Sequence, residues 1–255
     1  MDNEKQKILI TGATGGLGEI LARKLANKNN ILVLTGRNEE KLKSLEKELI
    51  EKVAGIEINV LDFSKEEDIK KLSELSKDIS IVINCAADIA AKATKELSEV
   101  SASDLEKTFR VNVSAPFSSA AGAANNMIKQ KFGRVINVGS TSGLSGYSLR
   151  PEYCISKFGL RGATEQFNAQ ISYLSKNMES DIKAFYLAAP PFDGEAIKNV
   201  IKERTDVTLK SIEDTRKRYE TFNGRTELLK PEEVADKIIE LIKPGNEFKE
   251  TIITF

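Results

Sequence analysis

The amino-acid sequence predicts an α/β fold in which a single doubly wound parallel sheet of about seven strands is covered by helices on both faces. Three observations predict this fold. Short apolar runs alternate with longer segments of helical periodicity, a glycine-rich turn joins the first run to the first such segment, and no linker rich in glycine, proline or serine divides the 255 residues. We therefore expect one domain over residues 1–255, built from parallel strands and right-handed crossovers.

The predicted strands are short runs of branched and aliphatic residues, as buried parallel strands require. They cover residues 7–11, 31–35, 57–61, 80–84, 134–138, 182–188 and 251–254. The predicted helices have apolar residues at helical spacing and cover residues 16–27, 39–52, 65–76, 103–130, 151–177 and 231–242.

Residues 192–225 fit this alternation least, because they are highly charged and follow the sixth predicted strand. Ligands bind at the carboxyl ends of the strands in an open α/β sheet. We therefore expect a built-in substrate segment that covers the site. A solvated pair of helices is the alternative.

Composition and charge argue against several classes of function. The chain has 38 basic and 38 acidic side chains, so nothing in its charge favours nucleic acid or a membrane as a partner. No apolar run approaches the roughly 18 residues of a membrane span, and residues 1–5 lack the apolar region of a signal peptide, so we expect a cytoplasmic protein. With no histidine and only 2 cysteines, neither a zinc or copper site nor a disulfide framework is expected.

The glycine-rich turn is the first candidate site. Residues 11–18 read TGATGGLG and stand between the first predicted strand and the first predicted helix. Such a turn lets backbone N–H groups approach a pyrophosphate at the amino terminus of the helix. An ordinary tight turn is the alternative. On the phosphate-binding interpretation, the residues at a dinucleotide cofactor are Gly12, Thr14, Gly15, Gly16, Leu17 and Gly18.

A tyrosine and a lysine form the second candidate site. Tyr153 and Lys157 are four residues apart, so on a helix they share one face. Pro151 is suited to the first turn of a helix, which would place Tyr153 near the positive end of the helix dipole. The dipole and the ammonium group would both stabilise a phenolate, in a chain that has no histidine for acid–base chemistry. A surface tyrosine beside a solvated lysine is the alternative.

Together these motifs resemble the short-chain dehydrogenase/reductase family, over nearly the whole chain. The resemblance implies a Rossmann fold in which Gly12, Gly16 and Gly18 are the cofactor glycines. The catalytic positions of the family are matched, in order, by Asn112, Ser140, Tyr153 and Lys157.

A further segment of the family lies after the fourth predicted strand. Residues 84–87 read NCAA and are similar to the family's NNAG, with Ala87 in place of the last glycine. The resemblance places Asn84 and Ala86 at the cofactor.

The sequence after the second predicted strand bears on the choice of nicotinamide cofactor. An acidic residue there would bind the ribose 2′-hydroxyl and repel a 2′-phosphate, whereas this chain has Arg37, whose guanidinium suits a phosphate. The resemblance also implies NADP(H), with Arg37 and Asn38 at the phosphate and Asp62 at the adenine. As alternatives, Arg37 is solvated and Thr14 or Asn38 alone holds the phosphate, and Asp62 or Ser64 caps a helix.

The resemblance implies an NADP(H)-dependent oxidoreductase of the carbonyl reductase type, which reduces a ketone or aldehyde to an alcohol or runs the reverse reaction. It implies that Tyr153 gives or takes the proton and that Ser140 orients the carbonyl oxygen. Lys157 would assist the tyrosine and hold the nicotinamide ribose, while Asn112 connects a water chain to it. From composition alone Ser142 rivals Ser140, but the spacing to Tyr153 favours Ser140.

Two other classes of function remain open. One is a non-catalytic NADP(H)-binding regulator or scaffold, although all four catalytic positions are filled. The other is a nucleotide-sugar epimerase or dehydratase, whose glycine turn has a different spacing.

The end of the sixth predicted strand departs from the family pattern. Ala189-Pro190 stands where the family has Pro-Gly, and Gly194 stands where it has a threonine, so no residue is assigned to the carboxamide. The Asp-Gly-Gly tail of bacterial 3-oxoacyl-carrier-protein reductases is also missing, which argues against fatty-acid synthesis. Residues 144–150 and 192–223 mix apolar and charged side chains and indicate a small-molecule carbonyl with some apolar body.

Small residues in the helix predicted over 103–130 bear on assembly. The resemblance places this helix and the one after Pro151 at a two-fold interface, so we expect a homodimer or homotetramer. Packing of the small residues on the sheet is the alternative. They are Ala115, Ala120, Ala121, Gly122, Ala123 and Ala124.

Overall fold

The computed structural model describes residues 5–89, 95–221 and 226–255, and these residues contain one seven-stranded parallel sheet. The strands are β1 (Gln6–Thr11), β2 (Asn30–Gly36), β3 (Gly55–Val60), β4 (Ile81–Asn84), β5 (Phe132–Val138), β6 (Asp181–Leu187) and β7 (Ile252–Ile253). Every predicted strand is confirmed, with small shifts at the ends. The strand order is β3-β2-β1-β4-β5-β6-β7, so the connections diverge after β1 and β4 and leave a crevice at the carboxyl edge.

Helices cover both faces of this sheet. They are α1 (Gly16–Lys24), α2 (Glu39–Leu49), α3 (Glu66–Leu75), α4 (Ala102–Phe109), α5 (Ala115–Gln130), α6 (Pro151–Leu174), α7 (Glu195–Thr208), α8 (Ile212–Glu220) and α9 (Pro231–Leu241). The charged segment after β6 therefore contains a pair of helices, and its last residues, 222–225, lie outside the described residues. In the described part of the chain no helix is long and apolar enough to cross a membrane.

The continuous helix predicted over 103–130 is wrong. The structure has α4, then a π-helical turn at Arg110–Ser114, then α5, which begins with Pro116 in its first turn. Proline has no N–H, and its ring excludes the carbonyl four residues before it, which here is that of Asn112. The turn widens around this point, and the proline in the sequence was the signal for it.

Residues that alternate along the strands pack on opposite faces of the sheet. Ile8 and Ile10 of β1 pack in a cluster with residues of α1, α2 and α9. Leu9, between them, packs in a second cluster with residues of α3, α5 and α6. The sheet is therefore buried on both faces, and its carboxyl edge is left for a site.

Most of the small residues of α5 pack inside the chain, as the alternative interpretation has it. Ala115, Ala120 and Ala123 are buried against the sheet. Gly122 faces α3, because a Cβ atom there would meet the carbonyl oxygen of Ser73 and lie 3.0 Å from Cβ of Ser76. The small residues therefore allow α5 to pack closely against the sheet and against α3.

We predict that the Gly122→Ala substitution destabilises the protein by about 1–3 kcal/mol, because the added methyl group overpacks the contact with α3. The matched control is Gly162→Ala in α6, where an added Cβ has open space and a gain in helix propensity of about 0.5–1 kcal/mol is expected. Urea denaturation of the two variants measures both effects. Equal shifts of the two midpoints in the same direction would contradict this packing.

Candidate active site

A cavity of about 930 Å³ lies at the carboxyl edge of the sheet. The turns after β1, β2, β3, β4, β5 and β6 line it, together with the start of α6 and parts of α7 and α8. Among its lining residues are Gly12, Thr14, Gly15, Gly16, Leu17, Gly18, Arg37, Asp62, Ala86, Ser140, Ser142, Tyr153 and Lys157. Most of the residues predicted for the site therefore share one cavity.

The glycine turn at one end of this cavity has no room for a side chain at Gly12 or at Gly18. Gly12 has a φ of +68°, and an added Cβ atom would lie 2.8 Å from the backbone of Ala86. At Gly18 an added Cβ would lie 2.8 Å from Cα of Ala13. Gly15 is the N-cap residue of α1, so no side chain caps the first turn of that helix. Backbone N–H groups at an uncapped helix start, beside such a cradle, fit a pyrophosphate.

The turn after β2 separates two residues that were predicted to act together. Arg37 is exposed at the wall of the cavity. Asn38 is not among the lining residues, since its Oδ1 atom accepts the N–H of Lys41 (2.9 Å) and caps α2. Arg37 therefore lies at the cavity, whereas the side chain of Asn38 caps α2.

Asp62 lines the cavity and also supports its own turn. Its Oδ1 atom accepts the N–H of Ser64 (3.0 Å), while α3 begins after Lys65. This backbone hydrogen bond and the nearby Arg37 lower the pKa of the Asp62 carboxyl group, against the opposing effect of burial. The Asp62 carboxylate is therefore a charged hydrogen-bond acceptor at this wall of the cavity.

Asn84 lies beneath the cavity rather than in its wall. Its Nδ2 atom donates to Oδ1 of Asn137 (2.9 Å), and its Oδ1 atom accepts from the hydroxyl of Ser119 (3.1 Å). Asn137 in turn donates to the hydroxyl of Thr164 (2.8 Å). This buried network joins β4, β5, α5 and α6, while Cys85, Ala86 and Ala87 form the wall.

Tyr153 and Lys157 lie at the other end of the cavity. As predicted, α6 begins at Pro151 and has Tyr153 in its first turn. Lys157 is buried, and its Nζ atom donates to the carbonyl oxygen of Val138 (2.9 Å) and lies 5.5 Å from the centre of the Tyr153 ring. Burial lowers the pKa of the lysine, whereas the Tyr153 phenolate would raise it. A negative charge on Tyr153 would therefore favour the ammonium form of Lys157.

Ser140 is held from below by a tyrosine that the sequence analysis missed. The hydroxyl of Tyr186 accepts the N–H of Ser140 (2.9 Å) and donates to its carbonyl oxygen (2.7 Å). Added Cβ atoms at Gly139 and Gly143 would overlap the Tyr186 side chain, which explains both glycines of this loop. Burial raises the pKa of Tyr186, so the phenol stays protonated and can donate.

The side-chain hydroxyl of Ser140 lines the cavity and accepts the N–H of Ser142 (3.1 Å). Ser142 also lines the cavity, so position alone does not separate the two serines. The extended backbone of Ser140, fixed by Tyr186, is what distinguishes it.

Asn112 connects three elements without lining the cavity. Its Nδ2 atom donates to the carbonyl oxygen of Asp88 (2.8 Å) and to the hydroxyl of Ser156 (3.0 Å), and its Oδ1 atom accepts the N–H of Asp88 (2.7 Å). Its side chain thus fixes the segment after β4 to α6, next to Lys157. Pro116, four residues further along the chain, has no N–H to donate to the backbone carbonyl of Asn112.

The segment after β6 forms the remaining wall. Residues 189–194 and several residues of α7 and α8 line the cavity, among them Val200, Arg204 and Tyr219. Arg204 is buried and donates to the carbonyl oxygen (3.2 Å) and hydroxyl (2.9 Å) of Ser148 in the loop before α6. The helix pair is therefore fastened to the loop that leads to Tyr153.

Comparison with known proteins agrees with this geometry. Residues 6–179 match the short chain dehydrogenase family. The 3-oxoacyl-(acyl-carrier-protein) reductase FabG of Rickettsia conorii is 34% identical over 164 residues, which cover 64% of this chain and 66% of that protein. FabG of Aquifex aeolicus is 29% identical over 239 residues, which cover 91% and 87%. The chain thus spans just under two thirds of the length of the Rickettsia conorii relative that it matches.

Two solved structures share the fold. One is an actinorhodin polyketide ketoreductase with NADPH, with a TM-score of 0.82 at 20% identity over 99% of this chain and 96% of that one. The other is an NAD⁺-bound xylitol dehydrogenase, with a TM-score of 0.85 at 19% identity over 100% of this chain and 99% of that one. Because these two proteins hold different cofactors, the shared fold does not select between them.

We predict that Tyr186→Phe destabilises the protein by about 1–3 kcal/mol, because the N–H and carbonyl groups of Ser140 lose their buried partner. Tyr173→Phe is the control, since Tyr173 is 67% exposed, and should stay within about 0.5 kcal/mol. Chemical denaturation of both variants tests this. Equal stability of the two variants would show that the hydroxyl of Tyr186 does not hold the loop.

Proposed function

The chain belongs to the short-chain dehydrogenase/reductase family, and we propose that it is an NADP(H)-dependent oxidoreductase that reduces the carbonyl group of a ketone or aldehyde, or oxidises the corresponding alcohol. One observation carries this proposal: the glycine turn lies at one end of a single cavity, and Ser140, Tyr153 and Lys157 lie at the other. A dinucleotide held at the glycines would extend towards the tyrosine. The uncapped start of α1 supports the phosphate end of that placement.

Bound NADPH would supply the hydride. Tyr153 gives its proton to the carbonyl oxygen as negative charge develops there, a contribution of about two to four orders of magnitude in rate. Ser140 donates a hydrogen bond to the same oxygen and fixes its direction. Lys157 stabilises the phenolate that remains and binds the ribose hydroxyl groups of the nicotinamide end.

The proton on Tyr153 is replaced from solvent in this proposal. The backbone carbonyl of Asn112, to which Pro116 offers no N–H, would hold a water molecule towards Lys157. The side chain of Asn112 has a positioning role, because its donors and acceptor are used by Asp88 and Ser156.

The proposed preference for NADP(H) is based on the part of the cavity wall that the turn after β2 forms. Arg37 lies there, and a guanidinium group pairs with a phosphate in a planar, charge-assisted geometry. Asp62 and Phe63 of the neighbouring turn would contact the adenine. Thr14, whose side chain packs over Gly36, is the second candidate for the 2′-phosphate.

The relatives support reduction of a ketone, since two of them are named 3-oxoacyl-(acyl-carrier-protein) reductases. Residues 192–221 close the cavity and would select the substrate, as part of a single domain over 1–255. The substrate of this chain is therefore assigned only as a small-molecule carbonyl or alcohol.

A homodimer or homotetramer in the cytoplasm belongs to the same proposal. Four large apolar side chains of α4, α5 and α6 are exposed in the isolated chain, and their burial would stabilise an assembly. They are Phe109, Phe117, Ile155 and Phe158.

We predict that Tyr153→Phe lowers turnover by about two to four orders of magnitude while NADPH still binds, because the ring is kept and the proton donor is lost. Lys157→Met should lose turnover and also bind NADPH more weakly, since one side chain serves both roles. NADPH oxidation with a panel of ketones and aldehydes, and NADPH fluorescence, measure the two effects.

Tyr173→Phe again serves as the control for a lost hydroxyl and should keep full activity. Near-normal turnover in Tyr153→Phe would end the proposed chemistry. Saturable NADPH binding by the unaltered protein with no turnover of any carbonyl would favour a non-catalytic regulator instead.

We predict that NADPH binds more tightly than NADH by about ten- to a hundredfold, the factor that a charge-assisted hydrogen bond supplies, and that Arg37→Asp reverses this preference. The substituted carboxylate would repel the 2′-phosphate and bind a ribose hydroxyl. Arg23→Asp makes the same change of charge on an exposed part of α1 and is the control. Fluorescence titrations with both cofactors decide the matter, and equal affinities in the unaltered protein would remove Arg37 from the site.

A further inference from the structure

Arg150 is a cation beside Tyr153 that the proposed chemistry does not use. It directly precedes α6 and lines the cavity. The central carbon of its guanidinium group lies 4.4 Å from the centre of the Tyr153 ring, closer than Nζ of Lys157 at 5.5 Å. The end of the cavity that holds the tyrosine therefore has two cations.

The guanidinium group of Arg150 has no acidic partner. Its Nε atom is buried without a hydrogen-bond partner, and no carboxylate of the residues that the structure describes lies within 4.0 Å of it. The carboxylate of Glu152, two positions away, is paired with Lys95 at 2.8 Å. This half-buried arginine therefore lines the cavity with no carboxylate of the described residues beside it.

The loop that presents Arg150 is strained and held from two sides. Leu149 has a φ of +64°, a left-handed conformation that is costly for a residue other than glycine and is common at functional sites. The carbonyl oxygen of Leu149 accepts the N–H of Lys95 (3.0 Å), and Ser148 accepts hydrogen bonds from Arg204. The backbone that presents Arg150 is therefore held by Lys95 and by Arg204 of α7.

We propose that Arg150 binds an acidic group of the substrate, so that the carbonyl compound is an oxo acid; this rests on the proposed function. A guanidinium group binds a carboxylate through two parallel hydrogen bonds. Because the guanidinium group lies over the ring of Tyr153, the acidic group of the substrate lies close to the carbonyl that Tyr153 protonates. The apolar side chains of Phe192 and Val200 line the cavity beyond and would contact the rest of the molecule.

The test compares acids with their neutral esters. Pyruvate, acetoacetate and levulinate are each assayed against their methyl esters with NADPH, for the unaltered protein and for Arg150→Gln. We expect the unaltered protein to prefer an acid whose carboxylate is near the carbonyl, and Arg150→Gln to lower the acid-to-ester ratio of kcat/KM by about ten- to a hundredfold. Arg150→Lys, which keeps the charge, should keep part of the preference and shows that the site folds. Arg23→Gln, a surface control, should keep all of it.

If Arg150 acted only on the proton of Tyr153, acid and ester would lose rate equally; an unchanged ratio would overturn the inference and leave the proposed function intact. Binding of isobutyrate against isobutyramide to the NADPH complex, followed by cofactor fluorescence, gives a readout without turnover. Preference for isobutyrate that disappears in Arg150→Gln supports the anion site even if no carbonyl is reduced, an outcome that overturns the proposed function alone. No preference for isobutyrate in the unaltered protein overturns the inference.

Discussion

The buried ammonium group of Lys157 is the constraint around which the site is arranged. A buried charge is costly unless it is hydrogen-bonded or paired, and this one has the carbonyl oxygen of Val138 at the end of β5 as its acceptor. Burial lowers the pKa of the lysine, whereas a negative charge on Tyr153 would raise it. Tyr153 lies one helical turn away, with the centre of its ring 5.5 Å from Nζ of Lys157. Burial also raises the pKa of the nearby Cys85 thiol to about 12, so this thiol stays neutral beside the lysine.

Lys157 keeps its contact with Val138 only if α6 cannot move along the edge of the sheet. Three contacts between distant elements fix it. Asn112 in the π-helical turn holds Ser156, the residue before Lys157. Lys95 pairs with Glu152, the residue before Tyr153, and with Asp104 of α4. Val138 at the end of β5 accepts from the lysine itself. The residues next to Tyr153 and Lys157 are thus held by the segment after β4 and by the turn in front of α5.

The sequence predicted those parts of this arrangement that depend on neighbouring residues. Alternating strands and helices, the glycine turn and the place of Tyr153 after Pro151 follow from periodicity and from the local rules for glycine and proline. Tyr186 was missed because its partner Ser140 is 46 positions away, and a tyrosine in a buried strand looks like any other core residue. The sequence analysis placed Asn84 at the cofactor. In the structure its side chain hydrogen-bonds that of Asn137, which lies opposite it on the adjacent strand because of the register of β4 and β5. The break at Arg110–Ser114 had a local signal in Pro116 and was predictable.

The proposed function requires that hydride passes from NADPH to a carbonyl carbon in this cavity. The most direct measurement uses NADPH with deuterium at the transferable position of the nicotinamide and follows the alcohol product by NMR. We expect one deuterium at the carbinol carbon for each NADPH oxidised. It should be delivered to one face of the carbonyl only, because the cavity holds the cofactor and the substrate in a fixed arrangement. Oxidation of NADPH without deuterium in the product, or an alcohol labelled equally on both faces, would contradict the proposed function.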